Sequence, residues 1–306
     1  MKDSFLPVSP TMGMLAAFKA TEQEYSMPEA GTLAELMTVR AAGKTDVFIG
    51  ETDSYGKLGI YGGHFLGQAL AAGFATIEGD KLAQSFHGYF LKPGNPTAPL
   101  EYHVIRIREG RNAEVRGITA VQDGVSVFYM LAAFKMPEEG DEHQKPAPAV
   151  PSAEEVIASR EAAGRPAFPF PMTQHGRVEM EFISESFMPQ SFQPGREPKL
   201  QVWMRVPDEI ADQRMHQCLL AFLSDGTLMF NSVLPYGLPF QTHRLTSLDQ
   251  SVWFHRPVDP SGWLLYDQRS TAAADGRGLN EGEVYDSQGR LIISTAQESM
   301  LRRVPG

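Results

Sequence analysis

Apolar residues recur at three- and four-residue spacing in Leu33–Ala42 (LAELMTVRAA) and predict a short helix, followed by the strand-like DVFIGET. From His64 the run HFLGQALAAGFATI is apolar nearly all round, the pattern of a buried helix. Gly67, Ala71, Ala72 and Gly73 leave its backbone open to close approach by another element. Four strand-like segments come next: AQSFHGYFL, LEYHVIRIRE, AEVRGITAVQ and VSVFYMLAAF. Lys92-Pro93-Gly94, Gly110-Arg111-Asn112 and Asp123-Gly124 supply the turns between them. The predicted unit is a helix wrapped by a curved antiparallel meander, an α+β arrangement.

The pattern then breaks. Residues 137–172 are rich in proline and carry the acidic cluster EEGDEH, which suits neither a packed sheet nor a long helix, and read as an inter-domain linker. Within it SAEEVIASREAA opens on a Ser-x-x-Glu capping box, so one helix is expected there. Strands resume at VEMEFIS and LQVWMRV, and the second half repeats the first. Lys92-Pro93 corresponds to Arg256-Pro257 and Tyr102 to Tyr266 at an offset of 164 residues; past one insertion Gly124 corresponds to Gly289 and Ala132 to Gln297. At that offset Met215–Pro235 takes the place of the first buried helix, with Asp225 level with Tyr61–Gly63. The division expected is an N-terminal extension (1–30), a first repeat (31–136), the linker (137–172) and a second repeat (173–306), with the two sheets joined edge to edge.

Composition narrows the function. The 306 residues carry 27 Lys+Arg against 37 Asp+Glu, a net charge of −10, which disfavours a nucleic-acid partner. No apolar stretch reaches the roughly 20 residues a bilayer requires, so no membrane partner is expected. The single cysteine, Cys218, fits a reducing compartment, and with no leader pattern at the N-terminus the expected location is the cytoplasm. The histidines show no metal-ligand spacing, so neither a metal nor a cofactor is expected, and the usual loops of serine hydrolases, nucleotide hydrolases and dinucleotide enzymes do not occur.

The second repeat is polar where the first is bland. Gln297 replaces Ala132 in the apolar strand LIISTAQESML, and a buried amide needs partners. Asp225 sits among Leu219, Leu220, Phe222, Leu223, Leu228 and Met229, where an unpaired carboxylate is expensive. It reads as a helix N-cap, or as an N-cap that also takes a proton from water beside free backbone N–H groups. Ser247 reads as a turn hydroxyl, and Asp249 as a salt-bridge partner or a second acid. Arg256, Arg269, Arg277, Arg302 and Arg303 read as solvated strand ends or as a local anion site for a phosphorylated carrier such as coenzyme A.

The segments IYGGHFLGQAL, SFHGYFLKPG, HQCLLAFLSD, SLDQSVWFHRP, WLLYDQRS and STAQESMLR resemble the acyl-CoA thioesterase II family, over roughly Leu33 to Arg302. The resemblance implies a double hotdog that hydrolyses acyl-CoA to fatty acid and coenzyme A without a covalent intermediate. It assigns water activation to an Asp, a Gln and a hydroxyl, which fall here on Asp225, Gln297 and Ser247. The substrate-binding candidates are Gly62, Gly63, His64, Arg256 and Arg277. Two departures stand out: Gln250 where His is common after Asp249, and His64 where Gln is common after Gly-Gly. A homo-oligomer, dimer or tetramer, is expected, since a fused pair still leaves sheet edges and faces to cover. A non-catalytic acyl-CoA or fatty-acid binding protein of the same fold is the alternative. A hydratase is disfavoured, because His216, nine residues before Asp225, is half a turn out of phase with it and would not share its helical face.

Overall fold

The computed structural model describes residues 31–54, 59–168, 170–183 and 195–304; the N-terminal extension lies outside the described residues. Among the described residues thirteen strands form one antiparallel sheet. The first half supplies β1 (Val39–Ala41), β2 (Val47–Gly50), β3 (Leu82–Phe90), β4 (Leu100–Arg108), β5 (Ala113–Gln122) and β6 (Val125–Lys135). The second supplies β7 (Glu179–Phe182), β8 (Lys199–Arg205), β9 (His243–Ser247), β10 (Asp249–Phe254), β11 (Leu264–Ala274), β12 (Arg277–Tyr285) and β13 (Leu291–Arg303). Their order is β1-β2-β4-β5-β6-β3-β10-β13-β12-β11-β8-β7, with β9 added on β13. The halves therefore join through β3 and β10, as the edge-to-edge expectation required.

The repeat is a structural pseudo-dyad. In the β3–β10 ladder His87 lies directly opposite Ser251, its own counterpart 164 residues on, and their side chains hydrogen-bond at 2.9 Å across the outer face. Gly124 and Gly289 both turn at φ 74°, a left-handed conformation that glycine adopts without strain.

Helix α1 (Leu33–Met37) is shorter than the predicted helix, because β-branched Thr38 and Val39 leave the helical region and the chain enters β1. Helix α2 (Gly62–Phe74) is the buried helix of the first half, α3 (Ala153–Ala162) follows the expected Ser152–Glu155 capping box, and α4 (Gln213–Ser224) is the buried helix of the second half. Helices α2 and α4 meet backbone to backbone. Gly63 faces the Phe222 carbonyl, and a methyl group added at Gly67 would come within 3.0 Å of the Cys218 carbonyl oxygen. The element for which the small residues of α2 make room is thus the helix of the other half as well as the sheet.

The segment expected to be a linker is strapped to the second half. Trp203 donates to the Pro151 carbonyl at 2.9 Å, Gln144 donates to the Gly289 carbonyl at 2.8 Å and accepts from the Leu291 N–H at 3.1 Å, and Arg256 pairs with Glu142 at 2.8 Å. Its proline content suits an extended strap whose polar groups bond to strand ends rather than to one another.

Candidate active site

Helix α4 ends at Ser224, and Asp225 is its C-cap, not the start of a following helix. The correspondence of Asp225 with Tyr61–Gly63 is accordingly wrong. The offset that holds along the strands does not hold along the helices, and the residue capping the end of α2 is Ala75. Asp225 nevertheless reaches a helix N-terminus, that of α2 in the other half, where it accepts the backbone N–H of Gly63. A methyl group on Gly62 would overlap the second carboxylate oxygen, so the missing side chain at Gly62 is what admits the carboxylate, while a methyl group on Gly63 would meet the Phe222 carbonyl and Tyr61 instead.

The sheet supplies the rest. Gln297 of β13 donates from Nε2 to Asp225 Oδ1 at 2.6 Å, and Ser247, the last residue of β9, donates to the same oxygen at 3.2 Å. Ser247 lies opposite Ser299 in the β9–β13 ladder, two residues along from Gln297 and on the same face. The three residues singled out in the sequence thus meet at one carboxylate oxygen, Asp225 Oδ1, which Gln297 and Ser247 share, and they come from a helix end and two strands. Burial raises the Asp225 carboxyl to about 6, against the hydrogen bonds from Gln297, Ser247 and Gly63 that lower it. A carboxylate in this range is ionised at neutral pH and still basic enough to take a proton.

Neighbours not assigned a role from the sequence complete the cluster. Gln250 of β10 accepts the second Gln297 amide hydrogen at 2.8 Å, and Tyr266 donates to the Ser224 carbonyl at 2.8 Å. The signals were present: Gln250 as a departure from a family pattern and Tyr266 as the partner of Tyr102. The first half is apolar at the matching stations, with Ala75 at the helix cap, Ala132 in β6 and Ala83 in β3. There the amide of Gln217 bonds the backbone N–H and carbonyl of Ala83 at 2.8 and 2.9 Å.

The remaining candidates divide. Gly62 and Gly63 touch the cluster, but the ring of His64 is buried against the Glu51 carbonyl at 3.1 Å, and burial lowers its pKa to about 4, so it is neutral. Asp249 accepts the Glu298 N–H at 2.9 Å and forms no second acid with Asp225. The arginines do not converge. Arg256 is held by Glu142 and the Leu291 carbonyl, Arg269 by Glu281 and Glu283. Arg277 and Arg303 line a pocket of about 220 Å³ with Tyr236, His243 and Leu301 at the β11–β12 turn, and none of the Asp225 cluster borders it.

Two family descriptions match the chain: an acyl-CoA thioesterase N-terminal domain over residues 51–135 and an acyl-CoA thioesterase C-terminal domain over residues 143–301. The chain is 32% identical to acyl-CoA thioesterase 2 of Haemophilus influenzae over 263 residues, covering 84% of this chain and 92% of that protein. It is also 32% identical to human acyl-coenzyme A thioesterase 8 over 261 residues, covering 80% of this chain and 81% of that one. Among solved structures, an acyl-CoA thioesterase II from Mycobacterium marinum superposes with a TM-score of 0.75 at 28% identity, covering 90% of this chain and 100% of that chain. A helix-and-sheet repeat built twice around a pseudo-dyad, with both halves matched, makes this chain a double-hotdog member of the acyl-CoA thioesterase II family.

Proposed function

We propose that the chain hydrolyses acyl-CoA thioesters to free acid and coenzyme A, with water activated by Asp225, Gln297 and Ser247. The observation that carries this reading is one buried carboxylate, raised to about 6, held by an amide and a hydroxyl at 2.6 and 3.2 Å beside the first turn of a helix. Asp225 takes one hydrogen of the water as its oxygen attacks the thioester carbon. The tetrahedral adduct then expels the coenzyme A thiolate, which recovers the proton from Asp225. Thioesters have a good leaving group, so a positioned water and a base suffice. In the resting site the Gly63 N–H is spent on the carboxylate, so its first role is to hold the base. Gln297 and Ser247 fix the carboxylate from the sheet side.

The test is thiol release from short, medium and long acyl-CoAs by wild type and Asp225→Asn. Turnover lost in the variant with its fold intact supports the assignment. Unchanged turnover sinks it, and saturable binding without turnover in wild type points to a binding protein instead.

We further infer self-association through the outer face of the sheet. Ile105, Ile107, Tyr89, Tyr129, Leu131 and Trp253 are exposed there among the described residues. Tyr89 lies opposite Tyr129, His87 opposite Leu131, and Gly117 opposite both Ile105 and Leu131, so the patch is continuous across four strands. A second copy, related by a two-fold axis, presents the same apolar surface and covers it. No described helix is long and apolar enough to cross a membrane.

A further inference from the structure

The buried amides beside Asp225 form a chain whose directions are set at its far end. The Ser224 hydroxyl donates to the Ala221 carbonyl at 2.8 Å, so its oxygen meets Gln250 as an acceptor. Gln250 Nε2 donates to that oxygen at 3.3 Å and to the Ser224 carbonyl at 3.4 Å. Its own carbonyl oxygen is therefore turned to Gln297, which donates to it at 2.8 Å and to Asp225 at 2.6 Å. An amide nitrogen has two hydrogens, and both are now committed. Gln297 Oε1 remains, fully buried, beside the Asp225 carboxylate and without a hydrogen-bond partner.

We propose that Gln250 is the positioning residue of the reaction: by accepting one Gln297 amide hydrogen it keeps Gln297 Oε1 turned to the attacking water. The inference rests on the water-activation reading above. A water that gives one hydrogen to Asp225 and the other to Gln297 Oε1 has both hydrogens engaged, and its lone pairs are left for the thioester carbon. With the amide reversed, Gln297 would offer the water an N–H, and accepting it would occupy the lone pair that attacks.

Ionised Asp225 favours the same amide orientation by itself, since it only accepts. Once it has taken the proton it can also donate, and a reversed Gln297 would then accept that proton and hold it back from the departing thiolate. Gln250 is the partner that opposes reversal in this half of the cycle. It is a neutral amide, so it does so at every pH. The direction of its own amide is held by Ser224, which belongs to α4, so the end of that helix and the start of β10 are tied to one orientation.

The experiment is steady-state thiol release from acyl-CoA, with pH–rate profiles, for wild type, Gln250→Met, Gln250→Glu and Asp225→Asn. Methionine has nearly the shape of glutamine and lacks its acceptor oxygen. For Gln250→Met, kcat is expected to fall roughly ten- to hundred-fold while KM stays within about twofold. Gln250→Glu keeps an acceptor and adds a charge near Asp225, so it recovers part of kcat and shifts the acidic limb of the profile to higher pH. Wild-type kcat and profile in Gln250→Met, with Asp225→Asn inactive, overturn the role of Gln250 and leave the base in place. Equal losses in both Gln250 variants that track their thermal stability also overturn it, in favour of a purely structural amide. Full activity in Asp225→Asn overturns both readings together.

Discussion

Asp225 closes the helix of one half and rests its carboxylate on the first turn of the helix of the other, accepting the N–H of Gly63. The contact joins residues from opposite copies of the repeat and exists because the two helices run past one another at backbone distance. Gly63 lies on the Phe222 carbonyl, and Tyr61 donates to that same carbonyl at 2.9 Å. The positive end of α2 and the end of α4 are thereby fixed relative to each other.

The glycine pair is accordingly the most sensitive backbone in the site. Gly62→Ala places a methyl group on Asp225 Oδ2 and against the Phe90 ring, so the carboxylate is displaced from the position in which Gln297 and Ser247 hold its other oxygen. A loss of roughly a hundred-fold in kcat is expected, since small misplacements of a base are expensive. Thiol release with circular dichroism on the same sample separates this from unfolding.

The rate should follow the ionisation of Asp225. Burial sets that group at about 6, so kcat is expected to rise with pH, through an inflection close to that value, and then level. A pH–rate profile whose acidic limb lies instead near the ordinary carboxylate value would place the base elsewhere.

Stability should carry the opposite signature. The carboxyl titrates at about 6 folded against 3.8 for an ordinary Asp, so the folded state holds the extra proton between those values. The contribution to stability is present at low pH and is lost as pH rises through about 4 to 6. Asp225→Asn removes the penalty and is expected to be more stable than wild type by about 1–3 kcal/mol near pH 8, with the advantage gone near pH 4. Denaturant unfolding at the two pH values checks it, and a difference independent of pH would contradict it.

A buried charge cluster anchors the first half. Glu114 bonds Lys81 at 2.8 Å and also Arg116, whose guanidinium is fully buried and donates to the Thr76 hydroxyl at 2.8 Å and the Arg108 carbonyl at 3.0 Å. Burial works against the Glu114 charge, and Lys81 and Arg116 overcome it, so the group titrates below its usual range. Glu114→Ala leaves two buried cations short of their partner and is expected to cost about 3–5 kcal/mol in denaturant unfolding.

The outer apolar face yields a prediction of mass. Tyr129→Asp combined with Leu131→Asp, both exposed and outside the Asp225 cluster, should lower the oligomeric state seen by light scattering while the chain stays folded. An unchanged mass would move the interface elsewhere.

The repeat, the meander, the two buried helices and the polar bias of the second half were all legible in the chain. Each rests on periodicity or on a residue type out of place, which are local properties. Asp225 and Gln297 stood out because a carboxylate and an amide among leucines and isoleucines demand partners. The identity of those partners was not legible. A sequence does not state whether an aspartate closes its own helix or reaches another, and Asp225 meets Gly63 only because α2 and α4 cross at glycine-lined backbones. Gln250 carries no local sign of its role, since a polar residue next to a strand's start looks the same whether it faces water or a second amide. The arginines near strand ends suggested one anion site, yet acidic residues from the linker and the neighbouring strand claim Arg256 and Arg269. Local pattern determined which elements form, because burial follows apolar spacing. Hydrogen-bond partners far apart in sequence were decided by the tertiary structure, because a directional bond depends on position and orientation that only the packed chain fixes.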